Sequence, residues 1–299
     1  MPTIQLLHNP GAGDEEHSKK KLVKAIESRG YACRYSSTKE KVWDKIKDDV
    51  DFIALAGGDG TVRKVTGKLL ERTLLEKQFP IGLLPLGTAN NVATTLGLQK
   101  QKTDELIDSW QTAKKKNFDI GIVKGLEDPA FFLEGYGYGL FPLLMQEMKE
   151  VEEKEGETPD EKIRRALRVL HGLVQRYEAK FCGLEVDGTD YSDKFLLVEV
   201  MNTCSLGPNL HLAPNADPGD GYLNLVVITE NQRADFSQYL LDRIQGHSVP
   251  FSCQTHRAQK VSLEWEGKLA HADDELIKVK KSTEVEIEIR AGVLEFLVP

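Results

Sequence analysis

The stretch Phe52-Ile53-Ala54-Leu55-Ala56-Gly57-Gly58-Asp59-Gly60-Thr61-Val62 decides how this 299-residue chain is read. An apolar run long enough for a buried strand meets glycines and an acid, and a helix-compatible segment begins at Thr61. Glycine admits positive φ and lets an anion approach the main chain, while N–H groups at a helix N-terminus favour negative charge. Phosphate suits such a turn. Asp59 would repel it unless a divalent cation lay between them, as Mg2+ does with nucleotide triphosphates. On residue chemistry alone, a turn that merely joins a strand to a helix explains the stretch equally well.

The flanking sequence repeats the pattern. A strand over 4–8 leads into Asn9-Pro10-Gly11-Ala12-Gly13, and Leu22, Val23 and Ile26 mark one face of a helix over 18–29. A short strand over 32–36 is followed by Thr38 as an N-cap and by a helical stripe of Val42, Trp43 and Ile46. A fourth strand, 81–84, ends in Pro85-Leu86-Gly87-Thr88-Ala89-Asn90-Asn91, with helices expected over 92–96 and 103–113. Strands alternating with helices imply a parallel sheet, whose ligands bind beyond the carboxyl ends of its strands. Four strand ends rich in Gly, Asn, Ser and Thr would then share one crevice.

Near Asn117 the pattern changes to short alternating segments: 118–123, 131–135, 181–186, 195–201, 223–228, 261–265, 285–289 and 293–298. The expectation is α/β plus β-rich: a nucleotide-binding α/β domain over 1–117 and an antiparallel β domain over 118–299. Within the latter, Ile163, Ala166, Leu167, Leu170, Leu173, Val174 and Tyr177 keep helical spacing, with Arg164, Arg165, Arg168 and Arg176 on other faces. A helix packed on the sheet is the simpler reading, and a cationic face against lipid headgroups the sharper one. The acidic run 152–160 reads as a solvated loop.

With 40% hydrophobic and 29% charged residues, the composition is that of an ordinary globular protein. A formal net charge of -8 argues against a general nucleic-acid binder. Cys33, Cys182, Cys204 and Cys253 form no Cys-x-x-Cys pair, which suggests reduced thiols in a cytosol. No signal peptide and no apolar run of about 18 residues is evident, so a membrane substrate would be met from outside.

Taken jointly, Asn9-Pro10-x-x-Gly13, the run Gly57 to Thr61, and Pro85-Leu86-Gly87-Thr88-Ala89-Asn90 resemble, in order and spacing, the soluble diacylglycerol kinase family, which includes sphingosine and ceramide kinases. Ala213-Pro214-x-Ala216-x-x-x-Asp220-Gly221-Tyr222-Leu223 resembles that family's second-domain signature, and Asp273-Asp274-Glu275 stands where it usually has Asp-Gly-Glu. The resemblance implies a lipid kinase with a phosphofructokinase- or NAD-kinase-like nucleotide domain, an antiparallel β-sandwich domain and a cleft between them. ATP is expected on Asn9, Pro10, Gly11, Ala12, Gly13, Thr38, Gly57, Gly58, Asp59, Gly60, Thr61, Val62, Arg63 and Thr88. A structural Mg2+ is expected on Asp217, Asp220 and the main-chain carbonyl of Tyr222, hard oxygen ligands suited to that ion. Glu275 is the expected general base, assisted by Asp273, and Asp59 is expected to hold the Mg2+ of the nucleotide.

The chain departs from the family pattern at Arg63-Lys64, where relatives often have Asn-Glu, at Asn91 for a frequent Asp, and at Asp274 for the central glycine. The substrate expected is a diacylglycerol-like lipid, met by transient peripheral contact of a cytoplasmic protein with the membrane; homodimer assembly is left open. An NAD kinase-like enzyme shares the Gly-Gly-Asp-Gly-Thr device, but its usual Asn-Gly pattern is absent at 85–90. A catalytically weak nucleotide- or lipid-sensing regulator is the alternative from another class.

Overall fold

The computed structural model describes residues 1–12, 17–72, 77–127, 130–151, 156–280 and 282–299. Gly13 and residues 152–155 of the acidic run lie outside them. The chain divides into two compact units, Met1–Phe118 with Gly292–Pro299, and Asp119–Ala291.

The first unit alternates strand and helix as the periodicity predicts, except after its second strand. In order it holds β1 (Thr3–His8), α1 (Lys19–Glu27), β2 (Ala32–Ser37), β3 (Phe52–Gly57), α2 (Asp59–Leu70), β4 (Ile81–Pro85), α3 (Asn91–Thr95), α4 (Thr103–Ser109) and the start of β5 (Lys114–Lys124). The strands pair in parallel in the order β4-β3-β1-β2, with Ala54 opposite both Leu6 and Gly82. Parallel sheets are covered on both faces, and all six residues of β3 are buried, as its unbroken apolar run requires. Gly82 belongs to this packing: a Cβ there would stand 2.8 Å from Trp110 Nε1. Trp110 in turn meets the rings of Phe52 and Tyr31 edge-on, with centroids 5.3 and 5.9 Å away.

The helix expected after Thr38 is absent. Segment 38–50 is a run of turns, with Glu40 N donating to Ser37 O (2.9 Å) and Val50 N to Lys47 O (3.2 Å). Of the supposed stripe, Trp43 is buried while Val42 is 57% exposed, so no continuous apolar face exists to stabilise a short helix.

The second unit contains β6 (Ala130–Phe132), β7 (Gly135–Gly139), α5 (Leu140–Glu150), α6 (Pro159–Arg176), β8 (Lys180–Val186), β9 (Thr189–Asp190), β10 (Asp193–Met201), β11 (Leu223–Thr229), α7 (Arg233–Ile244), β12 (Gln254–Ala258), β13 (Lys260–Trp265), β14 (Leu269–Ala272), β15 (Glu275–Lys278) and most of β16 (Glu284–Val298). Its strands pair antiparallel in the order β15-β14-β7-β10-β8-β13-β16, with β11 between β10 and β12. The last seven residues of β16, with Pro299, count with the first unit, where Phe296 pairs in parallel with Ile81 and meets Phe118 edge-on. That return of the chain is not visible in the alternating pattern of residues 285–298, which reads as two strands of one domain.

One core of this unit gathers Phe132, Tyr136, Tyr138, Val198, Val200 and Trp265; a second lies between the sheet and α5, α6 and α7. Helix α6 starts on a capping box, with Glu161 N donating to Thr158 Oγ1 and Thr158 N to Glu161, and Pro159 fits its first turn. Leu167, Leu170, Leu173 and Val174 are buried in the second core, so the apolar face of α6 is covered by α5 and α7 and is not offered to lipid. Strand β7, helix α5 and helix α7 escaped the sequence reading. The run Gly135-Tyr136-Gly137-Tyr138-Gly139 lacks the branched residues that mark strands, yet every one of its residues is buried.

Candidate active site

In the first unit the expected nucleotide loops converge because parallel strands place their carboxyl ends on one edge. Asn9 N donates to Ala56 O (2.9 Å), which carries the β1–β3 ladder one residue past the strand. Its side chain then bridges two loops: Nδ2 donates to Thr61 Oγ1 (3.2 Å), and Oδ1 accepts from Gly11 N (3.1 Å). Ala12 N closes the turn on Asn9 O (2.9 Å) past Pro10. Thr38 joins through its main chain, donating to His8 O (2.9 Å) and accepting from Lys64 Nζ (2.6 Å). The same ammonium stands 5.2 Å over the Trp43 ring, so Lys64 pins the end of β2 to α2.

Gly57, Gly58 and Gly87 are required by close approach. A Cβ on Gly57 would fall 2.5 Å from Thr61 Oγ1, and a Cβ on Gly87 would fall 2.4 Å from Gly58 Cα. The loops after β3 and β4 therefore touch backbone to backbone. Asn90, at φ 53, locks the second loop by accepting from Gly87 N (2.9 Å) and donating to Gly87 O (2.8 Å). Gly87→Ala is expected to push the two loops apart while the rest of the unit stays folded; with the loops as the nucleotide site that the sequence leads one to expect, affinity for Mg–ATP should fall at least about tenfold, and isothermal titration beside circular dichroism measures both.

Several expected ligands take other positions. Helix α2 begins at Asp59, not Thr61, with Gly58 as its N-cap. The Asp59 carboxylate accepts from Asn91 N (2.9 Å) and Val92 N (3.1 Å), so it caps α3 and each oxygen already carries a main-chain partner. Asn91, which replaces a frequent acid, thus supplies its N–H to this contact. Val62 is 1% exposed and its N–H closes the first turn of α2 on Gly58 O, so its side chain serves the core. Thr61 is buried beneath Asn9, Gly60 and Thr88 are exposed, and Arg63 is partly exposed on α2.

In the second unit Asp273 and Asp274 form a two-residue turn between β14 and β15, with Ala272 paired to Glu275. Asp273 adopts φ 52, whereas Asp274 is not among the positive-φ residues, so the glycine usual at 274 is not demanded by the backbone. The Asp273 carboxylate is buried and accepts from Leu133 N (3.1 and 2.9 Å), Glu134 N (2.8 Å) and Gly135 N (3.2 Å). Its own N–H donates to Gly135 O (2.8 Å). Asp273 is therefore an anchor for the turn, while Glu275 is exposed at the start of β15.

Around this anchor lies a buried polar cluster that sequence reading did not assemble. Asn202 Nδ2 donates to Asp119 O (2.9 Å) and Leu133 O (3.0 Å), and Thr203 Oγ1 donates to Ser205 O (2.8 Å). His271 places Nε2 at 3.0 Å from both Glu199 oxygens and Nδ1 at 2.9 Å from Asp273 O. Burial pushes the Glu199 carboxyl up, against the opposing pull of His271. For His271, burial lowers the imidazole, but the Glu199 charge and hydrogen bond, together with the Asp273 carbonyl, outweigh it and hold the ring above its ordinary value. The one sequence signal was His271 preceding the acidic turn.

The Asp217, Asp220 and Tyr222 set does not fit a ready Mg2+ site. Asp220 Oδ2 accepts from the Arg257 guanidinium (2.7 Å), Asp220 Oδ1 from Tyr222 N (3.0 Å), and Asp217 Oδ1 from Gly219 N (3.1 Å). Arg257 also lies 4.1 Å over the Tyr222 ring, so an internal cation serves this loop. Asp119 braces it too, accepting from Gly221 N (2.8 Å). Among the described residues no group of three or more His, Cys, Asp or Glu side chains is placed to share a metal ion.

Comparison with known proteins agrees with this geometry. The family model for the diacylglycerol kinase catalytic domain matches residues 3–123, and that for the YegS C-terminal NAD kinase beta sandwich-like domain matches residues 155–298. The diacylglycerol kinase of Bacillus subtilis (strain 168) is 24% identical over 264 residues, 83% of this chain and 81% of that protein. The diacylglycerol kinase of Mycobacterium tuberculosis (strain CDC 1551 / Oshkosh) is 26% identical over 232 residues, 75% of this chain and 70% of that protein. A crystal structure of a diacylglycerol kinase from Bacillus anthracis str. Sterne shares the fold, with a TM-score of 0.72 at 22% identity over 99% of this chain and 97% of that one. With both family models matched in order along the chain, this protein belongs to the diacylglycerol kinase family of lipid kinases and is a kinase.

Proposed function

We propose that this kinase transfers the γ-phosphoryl group of ATP, supplied as its Mg2+ complex, to a hydroxyl of diacylglycerol or a closely related lipid. The observation that carries this reading is the convergence of the Asn9, Gly57–Thr61 and Gly87–Asn90 loops on one edge of the parallel sheet. Phosphoryl transfer asks little covalent chemistry of a protein: it needs held phosphates, an acceptor hydroxyl and a group to take its proton. Main-chain N–H groups of these loops and Arg63 hold the nucleotide in this reading. Glu275, exposed on a turn whose backbone is anchored by the buried Asp273, takes the proton of the acceptor hydroxyl. No step is assigned to a metal on Asp217 and Asp220, because Arg257 already serves Asp220.

A lipid acceptor implies work at a membrane surface. Among the described residues no helix is long and apolar enough to cross a membrane, and transient peripheral contact by a cytoplasmic protein, monomeric or homodimeric, belongs to the same proposal. The test is turnover with Mg–ATP on mixed micelles of diacylglycerol, sphingoid bases and other lipid alcohols, with NAD assayed alongside. Phosphorylated diacylglycerol is expected. Phosphorylation of NAD alone would make the protein an NAD kinase-like enzyme, and thermal stabilisation by ligands without any product would make it a sensor.

A further inference from the structure

A buried row of three residues crosses the antiparallel strands of the second unit behind the acidic turn. Glu199 on β10 is paired with Gly137 on β7, and Gly137 with His271 on β14. Gly137 is the gap through which the outer two meet, since a Cβ there would stand 2.1 Å from Glu199 Cδ. The Glu199 carboxylate thus lies across β7 and reaches the imidazole two strands away. Both side chains are essentially inaccessible, at 0% and 2% exposure, and the Phe141 ring of α5 covers His271 edge-on with centroids 6.1 Å apart.

The two ring nitrogens of His271 face acceptors in opposite directions, the Glu199 carboxylate and the Asp273 carbonyl. A neutral imidazole has only one N–H to give. Both hydrogen bonds are therefore made only while the pair keeps a proton between them, on the ring, which then donates at both ends, or on the Glu199 carboxyl, which then donates to Nε2. With that strap in place every polar group of Asp273 is tied: its carbonyl to His271, its N–H to Gly135 O and its carboxylate to the N–H groups of 133–135. A buried charge pair is poor evidence for stability, since apolar replacements often fold as well. What this pair does is hold one peptide at a positive φ, two residues before Glu275.

We propose that Glu199 and His271 are positioning residues, which fix the Asp273 peptide and through it the direction in which Glu275 is presented. The inference rests on the reading of Glu275 as the general base, and it adds the residues that aim it. Small errors of aim are costly in phosphoryl transfer, where the reacting groups must be held near attack geometry.

Three variants separate positioning from bulk stability. Glu199→Leu and His271→Phe remove the strap. Glu199→Gln preserves it without charge, because the amide N–H donates to Nε2 and the neutral ring keeps its N–H on the Asp273 carbonyl. With dioleoylglycerol in mixed micelles and Mg–ATP, kcat is expected to fall about tenfold or more in the first two while the KM for ATP stays within about twofold, and Glu199→Gln is expected to stay within about threefold of wild type. Hydrogen exchange followed by mass spectrometry reads the same strap without substrate: amides of 133–135 and 273–275 should exchange faster in Glu199→Leu and His271→Phe and stay protected in Glu199→Gln. Equal losses in Glu199→Leu and Glu199→Gln, or unchanged exchange in His271→Phe, overturn the proposal. If the wild type turns over no lipid at all, the functional reading fails, and the exchange pattern still decides whether the pair holds the turn.

Discussion

Glu275→Gln is expected to reduce kcat on diacylglycerol by about 10²- to 10⁴-fold, the usual contribution of a general base, with little change in the KM for ATP. The side chain is exposed and begins an edge strand, so the substitution removes a proton acceptor without removing packing. Its thermal midpoint should match that of the wild type. Steady-state kinetics beside calorimetry test both halves, and a variant that keeps full activity would end the assignment of Glu275 as the base.

Two residues earlier the signature reverses. Asp273→Ala is expected to destabilise the protein by about 3–5 kcal/mol, because the N–H groups of Leu133, Glu134 and Gly135 lose a buried anionic acceptor and alanine must adopt φ 52. Asp273→Asn, which tolerates that conformation and keeps one oxygen, should lose roughly half as much. Denaturant titrations should show a lowered midpoint with an unchanged slope. These two outcomes would separate two acids of one motif: Glu275, proposed to carry chemistry at the surface, and Asp273, which holds the backbone from within.

The glycine-rich strand-end loops were legible because they obey local rules. Asn9, Gly57 and Gly87 each follow an apolar strand, and parallel pairing then requires their loops to share an edge. The helix expected after Thr38 failed where a local pattern met no partner surface, with Val42 left in solvent and only Trp43 engaged by Lys64. Asp59 shows a subtler limit. Its acidity next to glycines suggested metal and phosphate, yet its carboxylate meets the N–H groups of Asn91 and Val92, more than thirty residues on. Arg257 likewise reaches Asp220 from a strand that no motif singles out.

By itself the amino-acid order determined the α/β half of the molecule, the antiparallel character of the rest, the glycine-rich loops at the strand ends and the membership of the lipid kinase family. Strand period, glycine positions and motif spacing are properties of neighbours in the chain, and they survive without any long-range contact. Only the tertiary structure decided which acids are exposed and which are buried against the main chain. Asp273, Glu199 and His271 acquire their roles from main-chain groups and strands brought beside them by antiparallel pairing, and burial then makes each unpaired alternative costly.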